Sequence, residues 1–252
     1  MDTSFELRLD WATHAAADHA CRNWHYSGCM PAGKTVKIGA WEGGRFVGAV
    51  IFGRGANNHL LQPYGLEQVE GCELTRVALR AHRTPVSRIV AIAVRLLHRQ
   101  SPGLRLIVSF ADPEQGHHGG IYQAGGWIYA GTSKPQSELV IDGRDVHKRT
   151  ANALWGTASP ERLREILGRP VDYSPVKYKH TYLLPLDPEM RTRVAPLAQT
   201  YPKRSKQAMT GDHPEQRRCD TDPSDPPITL RRAPRGRQRR RRATVKRNPR
   251  AA

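Results

Sequence analysis

Residues 84–110 constrain the fold of this chain more than any other stretch. Thr84-Pro85 opens a helix that runs as VSRIVAIAVRLLHRQ to about Gln100. Threonine is a favoured N-cap, and proline at the first helical position gives up an N–H that has no helical partner there. From Ile89 to Leu97 the helix is apolar almost all round, the pattern of a helix packed against a sheet. Leu104 to Phe110, LRLIVSF, then reads as a short buried central strand. The unit points to an α/β class.

The other segments fit around it. Phe5 to Leu9 alternates as a strand, and Trp11 to Trp24 is alanine-rich and helix-compatible. Val36–Trp41 and Arg45–Gly53 form a hairpin across Glu42-Gly43-Gly44, where paired glycines supply the positive φ of a tight turn. Leu74–Leu79 and Trp127–Ala130 read as further strands, and His118–Ala124 as a short helix closed by Gly125-Gly126. Ser159-Pro160-Glu161 and Asp187-Pro188-Glu189 are helix starts, with Gly168 stopping the first. The chain divides into an α/β domain over 1–135, an extension over 136–202 that packs on it, and a tail over 203–252.

Charge separates the tail from the rest. Of a formal net charge of +17, residues 203–252 hold 16 Lys/Arg against 5 Asp/Glu, and residues 1–202 hold 24 against 18. The tail ends in RGRQRRRRATVKR and has few large apolar residues, so it is expected to be disordered. It serves either as an electrostatic arm on nucleic acid or as a solubilising tail, and the concentration of charge favours the arm. At 38% hydrophobic residues the chain as a whole can bury a core. The longest apolar stretch, Ile89 to Val94, is flanked by Arg88 and Arg95 and falls far short of the roughly eighteen residues of a membrane span. The opening MDTSFELRLD lacks the apolar core of a secretory signal. Cys21, Cys29, Cys72 and Cys219 form no CxxC pair, which suits a reducing cytosol.

Five segments carry residues suited to chemistry. The turn before the long helix bears Arg80, His82 and Arg83, with Ser87 and Arg88 in the first helical turn. Free helix N–H groups and the positive dipole end suit a phosphate there, although surface arginines on any strand–helix unit look similar. Asp112, after Ser109-Phe110-Ala111, stands where the buried strand ends; it either orients a donor and accepts a proton or caps the turn before Pro113. His117-His118-Gly119-Gly120 permits close backbone approach to a ligand, and Tyr122 either donates a proton or packs in the core. Asn23 to Lys34 gathers Trp24, His25, Tyr26 and Ser27, with His14, His19, Cys21 and Cys29 nearby in a spacing that fits no zinc pattern. Arg54, between Gly53 and Gly55, either holds an anion or ends a strand. In the extension, Tyr173, Tyr178 and Tyr182 interleave with Lys177, Lys179 and His180. That pattern suits base stacking with phosphate contact and equally a tyrosine-rich strand on the core.

The order strand, helix, hairpin, strand, long helix, strand, short helix, strand resembles the GNAT acyltransferase fold. More specifically, WHYSGCMPAGK (24–34), IFGRGAN (51–57), ELTRVAL (73–79), TPVSRIVAIAV (84–94) and SFADPEQGHHGGIYQAGGWIYAG (109–131) resemble the Mom family of phage DNA-modification proteins, a divergent GNAT branch. KYKHTYLLPLD (177–187) resembles a segment of its phage members. The resemblance implies a GNAT-like mixed sheet flanked by helices, with residues 1–135 as the catalytic domain. It implies conversion of adenine to N6-carbamoylmethyladenine in DNA, which blocks host restriction enzymes, in the cytoplasm of an infected or lysogenic bacterium.

Acetyl-coenzyme A or another acyl-coenzyme A is the implied cofactor, its diphosphate on the turn spanning Leu79, Arg80, Arg83, Ser87 and Arg88, with Ser109 hydrogen bonding substrate or cofactor. The usual glycine-rich form of that turn is replaced by RAHRTPVSR. Iron enters by the family resemblance only. The expected catalytic residues are His25, Asp112 and Tyr122 for proton transfer and positioning, Tyr26 with Trp24 for stacking, and Arg76 for stabilising negative charge. Lys34, Arg54, Lys177, Lys179 and Arg239, Arg240, Arg241 and Arg242 of the tail are the expected DNA contacts. The alternatives are an N-acetyltransferase acting on another amine, in a protein, an RNA or a small molecule, and a non-catalytic DNA-binding protein of the same fold.

Overall fold

The computed structural model describes residues 6–203 except 32, 56, 57 and 147. The tail from 204 onward, with Arg239, Arg240, Arg241 and Arg242, lies outside the described residues, as does Phe5 at the start of the expected first strand.

Strand β1 (Leu7–Trp11) leads to helix α1 (His14–Trp24), whose start is fixed by Thr13 accepting the Ala16 N–H on its side chain. The hairpin β2 (Thr35–Glu42) and β3 (Arg45–Gly53) follows, with Gly43 and Gly44 at positive φ as expected. Then come β4 (Gly71–Leu79), α2 (Val86–Gln100), β5 (Leu106–Ala111), the short helix α3 (Gly120–Ala124) and β6 (Ile128–Thr132). This is the element order the sequence predicts. The remaining elements are β7 (Leu139–Ile141), β8 (Arg144–Val146), α4 (Lys148–Trp155), α5 (Pro160–Leu167), β9 (Val171–Tyr173), β10 (His180–Pro185) and α6 (Pro188–Val194). Ser159 and Asp187 cap α5 and α6, and Gly168 ends α5 in the left-handed conformation, as expected.

Seven strands form one mixed sheet in the order β1-β2-β3-β4-β5-β10-β6. All its pairings are antiparallel except β4 with β5. The apolar face of α2 packs under one side of the sheet, with Ile89, Val90, Ala93, Val94 and Leu97 buried against Val50, Phe52, Leu74 and Ile107. The other side is shared. Ala17, Ala20 and Cys21 of α1 cover Ala49, Ile51 and Ala78, and Met190 and Val194 of α6 cover Leu106, Val108 and Leu183.

A sequence boundary at 135/136 is not a boundary of the sheet. β10, from within the segment read as an extension, lies between β5 and β6 and pairs with both. Leu183 and Tyr182 are fully buried there, so Tyr182 belongs to the core, whereas Tyr173 and Tyr178 stay exposed. A small separate core of Leu139, Ile141, Ala151, Leu163 and Val171 joins the sheet β8-β7-β9 to α4 and α5.

The start of α2 also differs from expectation. Its N-cap is Pro85, without a side-chain cap. Thr84 turns away because its hydroxyl donates to the Glu42 carboxylate instead, at 2.6 Å.

Candidate active site

β4 and β5 are hydrogen bonded only from the Gly71/Leu106 pair to the Leu74/Ser109 pair, although β4 runs on to Leu79 and β5 to Ala111. Beyond Leu74 and Ser109 the strands part, and polar side chains gather in the fork. Ser109 sits fully buried at its apex, its Oγ 2.9 Å from the Leu74 carbonyl and 2.8 Å from the Tyr122 hydroxyl. One hydroxyl proton cannot serve both contacts. Ser109 therefore donates to the carbonyl, which can only accept, and receives the proton of Tyr122.

A bulge decides what else enters the fork. Phe52 pairs with Leu74 and Ile51 with Arg76, which leaves Thr75 as the extra residue, its hydroxyl donating to the Ile51 carbonyl at 2.9 Å. A bulge reverses the alternation of the strand beyond it. Cys72 and Leu74 accordingly join the core under α2, while Ala78 joins the core under α1. Glu73 and Arg76, three positions apart, thus share the α1 side. Arg76 Nη1 donates to the Thr75 carbonyl at 2.8 Å, and its Nε is buried without a hydrogen-bond partner. A buried guanidinium donor left unmatched is destabilising unless an acceptor arrives from outside.

His25 and Tyr26, just beyond α1, meet Arg76 from that side. Burial, then the Arg76 guanidinium and His117, push the His25 pKa down to about 3, so the ring is neutral. Its Nδ1 accepts the Ser27 backbone N–H at 3.1 Å. The ring hydrogen is therefore on Nε2, and His25 acts there as a donor rather than as a base. Tyr26 is 47% exposed, with its ring 4.3 Å from that of His25 and 5.4 Å from that of His117. Burial and the Asp112 carboxylate raise its pKa against the pull of Arg76.

Asp112 follows β5 directly. Its Oδ1 accepts the Glu114 N–H at 3.0 Å, and its Oδ2 lies 3.9 Å from Lys179 Nζ. It caps the turn before the helix-like segment 113–115 and still presents a carboxylate to Tyr26. Tyr122 approaches from the α2 side of the fork, its ring packed against Trp127 and Tyr182 at 5.0 and 4.9 Å. Burial pushes its hydroxyl up to about 12. Gly119 is required here: at φ +79° its missing Cβ would lie 2.2–2.4 Å from the Tyr182 ring, whose hydroxyl donates to the His118 carbonyl at 2.6 Å.

The structure thus brings His25, Tyr26, Arg76, Asp112 and Tyr122 to one fork. Residue order alone does not place Glu73 there, because an unbroken strand would put it on the face opposite Arg76. Ser109, expected to bond substrate or cofactor, has no exposed surface and spends its hydroxyl inside the fork. Trp24, expected to stack on a base, is packed against His19 and Phe46, with the Arg80 guanidinium over its ring at 5.2 Å.

Two backbone amides of the turn expected to hold a coenzyme A diphosphate are already taken. The Arg83 backbone N–H donates to Glu42 Oε2 at 2.8 Å, and the Thr84 N–H and hydroxyl donate to Oε1 at 2.8 and 2.6 Å. Leu79 is buried in the core, and the Arg80 N–H is bonded to the Val47 carbonyl. Ser87 is half-buried and Arg88 exposed, on the first turn of α2. As folded, these residues do not offer a diphosphate the amides of Arg83 and Thr84. Among the described residues no group of three His, Cys, Asp or Glu side chains is placed to hold a metal ion.

The expected DNA contacts are not gathered. Lys34 and Arg54 are exposed beside the Thr35/Gly53 end of the β2–β3 hairpin. Lys177 and Lys179 precede β10, with β4 and β5 in between. Lys177 is bonded to Glu114 at 2.9 Å. Among the described residues no helix is long and apolar enough to cross a membrane.

Over 155 residues the chain is 27% identical to the methylcarbamoylase mom of Escherichia phage Mu, covering 60% of this chain and 64% of that protein, so it spans less than two thirds of the relative's length. Among solved structures it is similar to FeeM, an N-acyl amino acid synthase from uncultured soil microbes, at 12% identity and a TM-score of 0.43, covering 78% of this chain and 99% of that one. A candidate acetyltransferase from Acinetobacter baylyi ADP1 gives 14% identity and a TM-score of 0.41, covering 81% of this chain and 100% of the other. The pattern of the Mom protein family matches residues 6–203. That match takes in every strand and helix of the sheet and the whole fork, and on it the chain belongs to the Mom protein family.

Proposed function

We propose that this protein modifies the N6 of adenine in duplex DNA with a carbamoylmethyl group, in the service of a phage evading host restriction. Membership of the Mom family and the methylcarbamoylase relative support the reading. The single observation that carries it within the molecule is the buried, unmatched Nε of Arg76, set beside a half-exposed tyrosine and a carboxylate where β4 and β5 part.

The chemistry asks for such a place. The adenine N6 lone pair is delocalised into the ring, and in a duplex the amino group is paired and stacked. The base must leave the helix and be held on an aromatic surface, while a chain of net charge +17 grips the backbone. Tyr26 is the exposed ring at the mouth of the fork. Asp112 accepts a hydrogen bond from the amino group and takes its proton as the new N–C bond forms. The electrons of the bond broken in the donor leave with its leaving group. Arg76 Nε and His25 Nε2–H donate to the leaving group, on which negative charge gathers. Tyr122 and Ser109 hold the apex of the fork.

Mass spectrometry of nucleosides from DNA co-expressed with the protein tests the reading. A carbamoylmethylated deoxyadenosine is expected, and it disappears in Asp112→Ala and in Tyr122→Phe while both variants still fold and bind DNA. Unmodified DNA together with acetyl transfer to another amine replaces this reading with an N-acetyltransferase. Salt-sensitive DNA binding with no transfer at all leaves a binding protein.

A further inference from the structure

We propose that Glu42 determines the class of donor by closing the turn before α2 to diphosphates, so that the transferred group arrives on a carrier not gripped there. The inference rests on the transferase reading above and concerns only how the donor is held.

The turn has every physical reason to take an anion. It leads from a strand into a 15-residue helix whose positive end faces it, and it carries Arg80, His82 and Arg83. The chain supplies that anion itself. The two Glu42 oxygens accept three hydrogen bonds of 2.6–2.8 Å from Arg83 and Thr84. These bonds, with His82 nearby, outweigh the upward effect of burial and hold the carboxyl below its usual range. Thr84 gives up its place as N-cap of α2 to make them.

The placement of Glu42 is built into the sheet. It is the last residue of β2 and pairs with Arg45 across Gly43 and Gly44. The tip of that hairpin is tied to the first described residue by the Gly43 N–H donating to the Glu6 carbonyl at 3.2 Å. β3 in turn stays paired to β4 up to the Gly48/Leu79 pair, immediately before the turn. A diphosphate entering here has to displace three charge-assisted bonds or lie against a carboxylate of like charge. No glycine in RAHRTPVSR opens a second approach to the backbone.

Calorimetric titration of the full-length protein with coenzyme A and, separately, with inorganic pyrophosphate tests the proposal. Wild type is expected to bind neither at millimolar concentration. Glu42→Gln keeps the shape of the side chain and removes its charge; Glu42→Ala removes it altogether. At least a tenfold gain in affinity for pyrophosphate is expected in both, with melting curves showing that each is folded. Micromolar binding of coenzyme A by wild type overturns the proposal. So does equal affinity in wild type and variants, whether all bind or none does, since Glu42 is then not the barrier. Because the readout is binding, a failure of DNA modification in the nucleoside assay leaves this result standing, and the reverse holds equally.

Discussion

Two polar clusters flank β4, and they differ in one respect. In the turn before α2, each of the three donors from Arg83 and Thr84 meets an oxygen of Glu42. In the fork between β4 and β5, Arg76 keeps a buried Nε with no acceptor. A matched donor stabilises the fold and has nothing left to give a ligand. An unmatched one lowers stability and retains an interaction for a molecule that has yet to arrive. Position in the fold alone would have pointed to the first cluster, since a helix N-terminus is the commoner anion site. Hydrogen-bond satisfaction points to the second.

The contrast breaks most readily at Arg76. Arg76→Met is expected to lower DNA modification by about 100-fold or more, read by nucleoside mass spectrometry. The same variant should melt no lower than wild type, because a side chain with an unmatched buried Nε is replaced by an apolar one of similar length. A fall in both would make Arg76 a structural residue and erase the difference between the clusters.

Gly119→Ala sharpens the contrast from the packing side. The new Cβ meets the Tyr182 ring at a positive φ, and a loss of about 3 kcal/mol is expected in denaturant unfolding. An unchanged midpoint would mean that α3 is not pinned against β10. Glu42→Gln, at the matched cluster, is expected to lower stability by about 1 kcal/mol, measured in the same way. No loss would show that the turn does not depend on its carboxylate.

The last effect is one of pH. His25 in the folded chain protonates only near pH 3, far below the value of about 6.5 for an unfolded histidine. Between these values the unfolded chain binds the proton and the folded chain does not. The stabilisation is therefore complete above about pH 6.5 and is lost as pH falls toward about 3. The melting temperature of wild type should drop further than that of His25→Gln between about pH 7 and about pH 4. Parallel curves would mean that His25 is not held neutral, and its role as a donor would go with that.

Much of the frame was legible in residue order. The α2–β5 unit, the Gly43-Gly44 hairpin and the caps at Ser159 and Asp187 depend on neighbours a few positions away, where propensity and capping act. His25 and Tyr26 stood out because their loop packs many reactive types into a short space, Asp112 because it ends a buried strand and Tyr122 because it follows a histidine–glycine run; the family resemblance then supplied their expected roles. Three features could not be read. The bulge at Thr75 depends on how β3 and β4 align, and it alone turns Arg76 and Glu73 to the same side. The entry of β10 between β5 and β6 depends on pairing across about seventy residues of chain, from Ala111 to His180. The capture of Thr84 by Glu42 joins residues 42 positions apart.

Sequence by itself determined the class of fold, the positive charge and most of the candidate catalytic set, because local periodicity and residue chemistry survive any arrangement of the chain. Tertiary structure alone decided which polar groups are satisfied. A side chain's value to a ligand depends on what its neighbours leave unpaired, and those neighbours, Glu42 for Thr84 and none for the Arg76 Nε, are assembled only when distant strands come together.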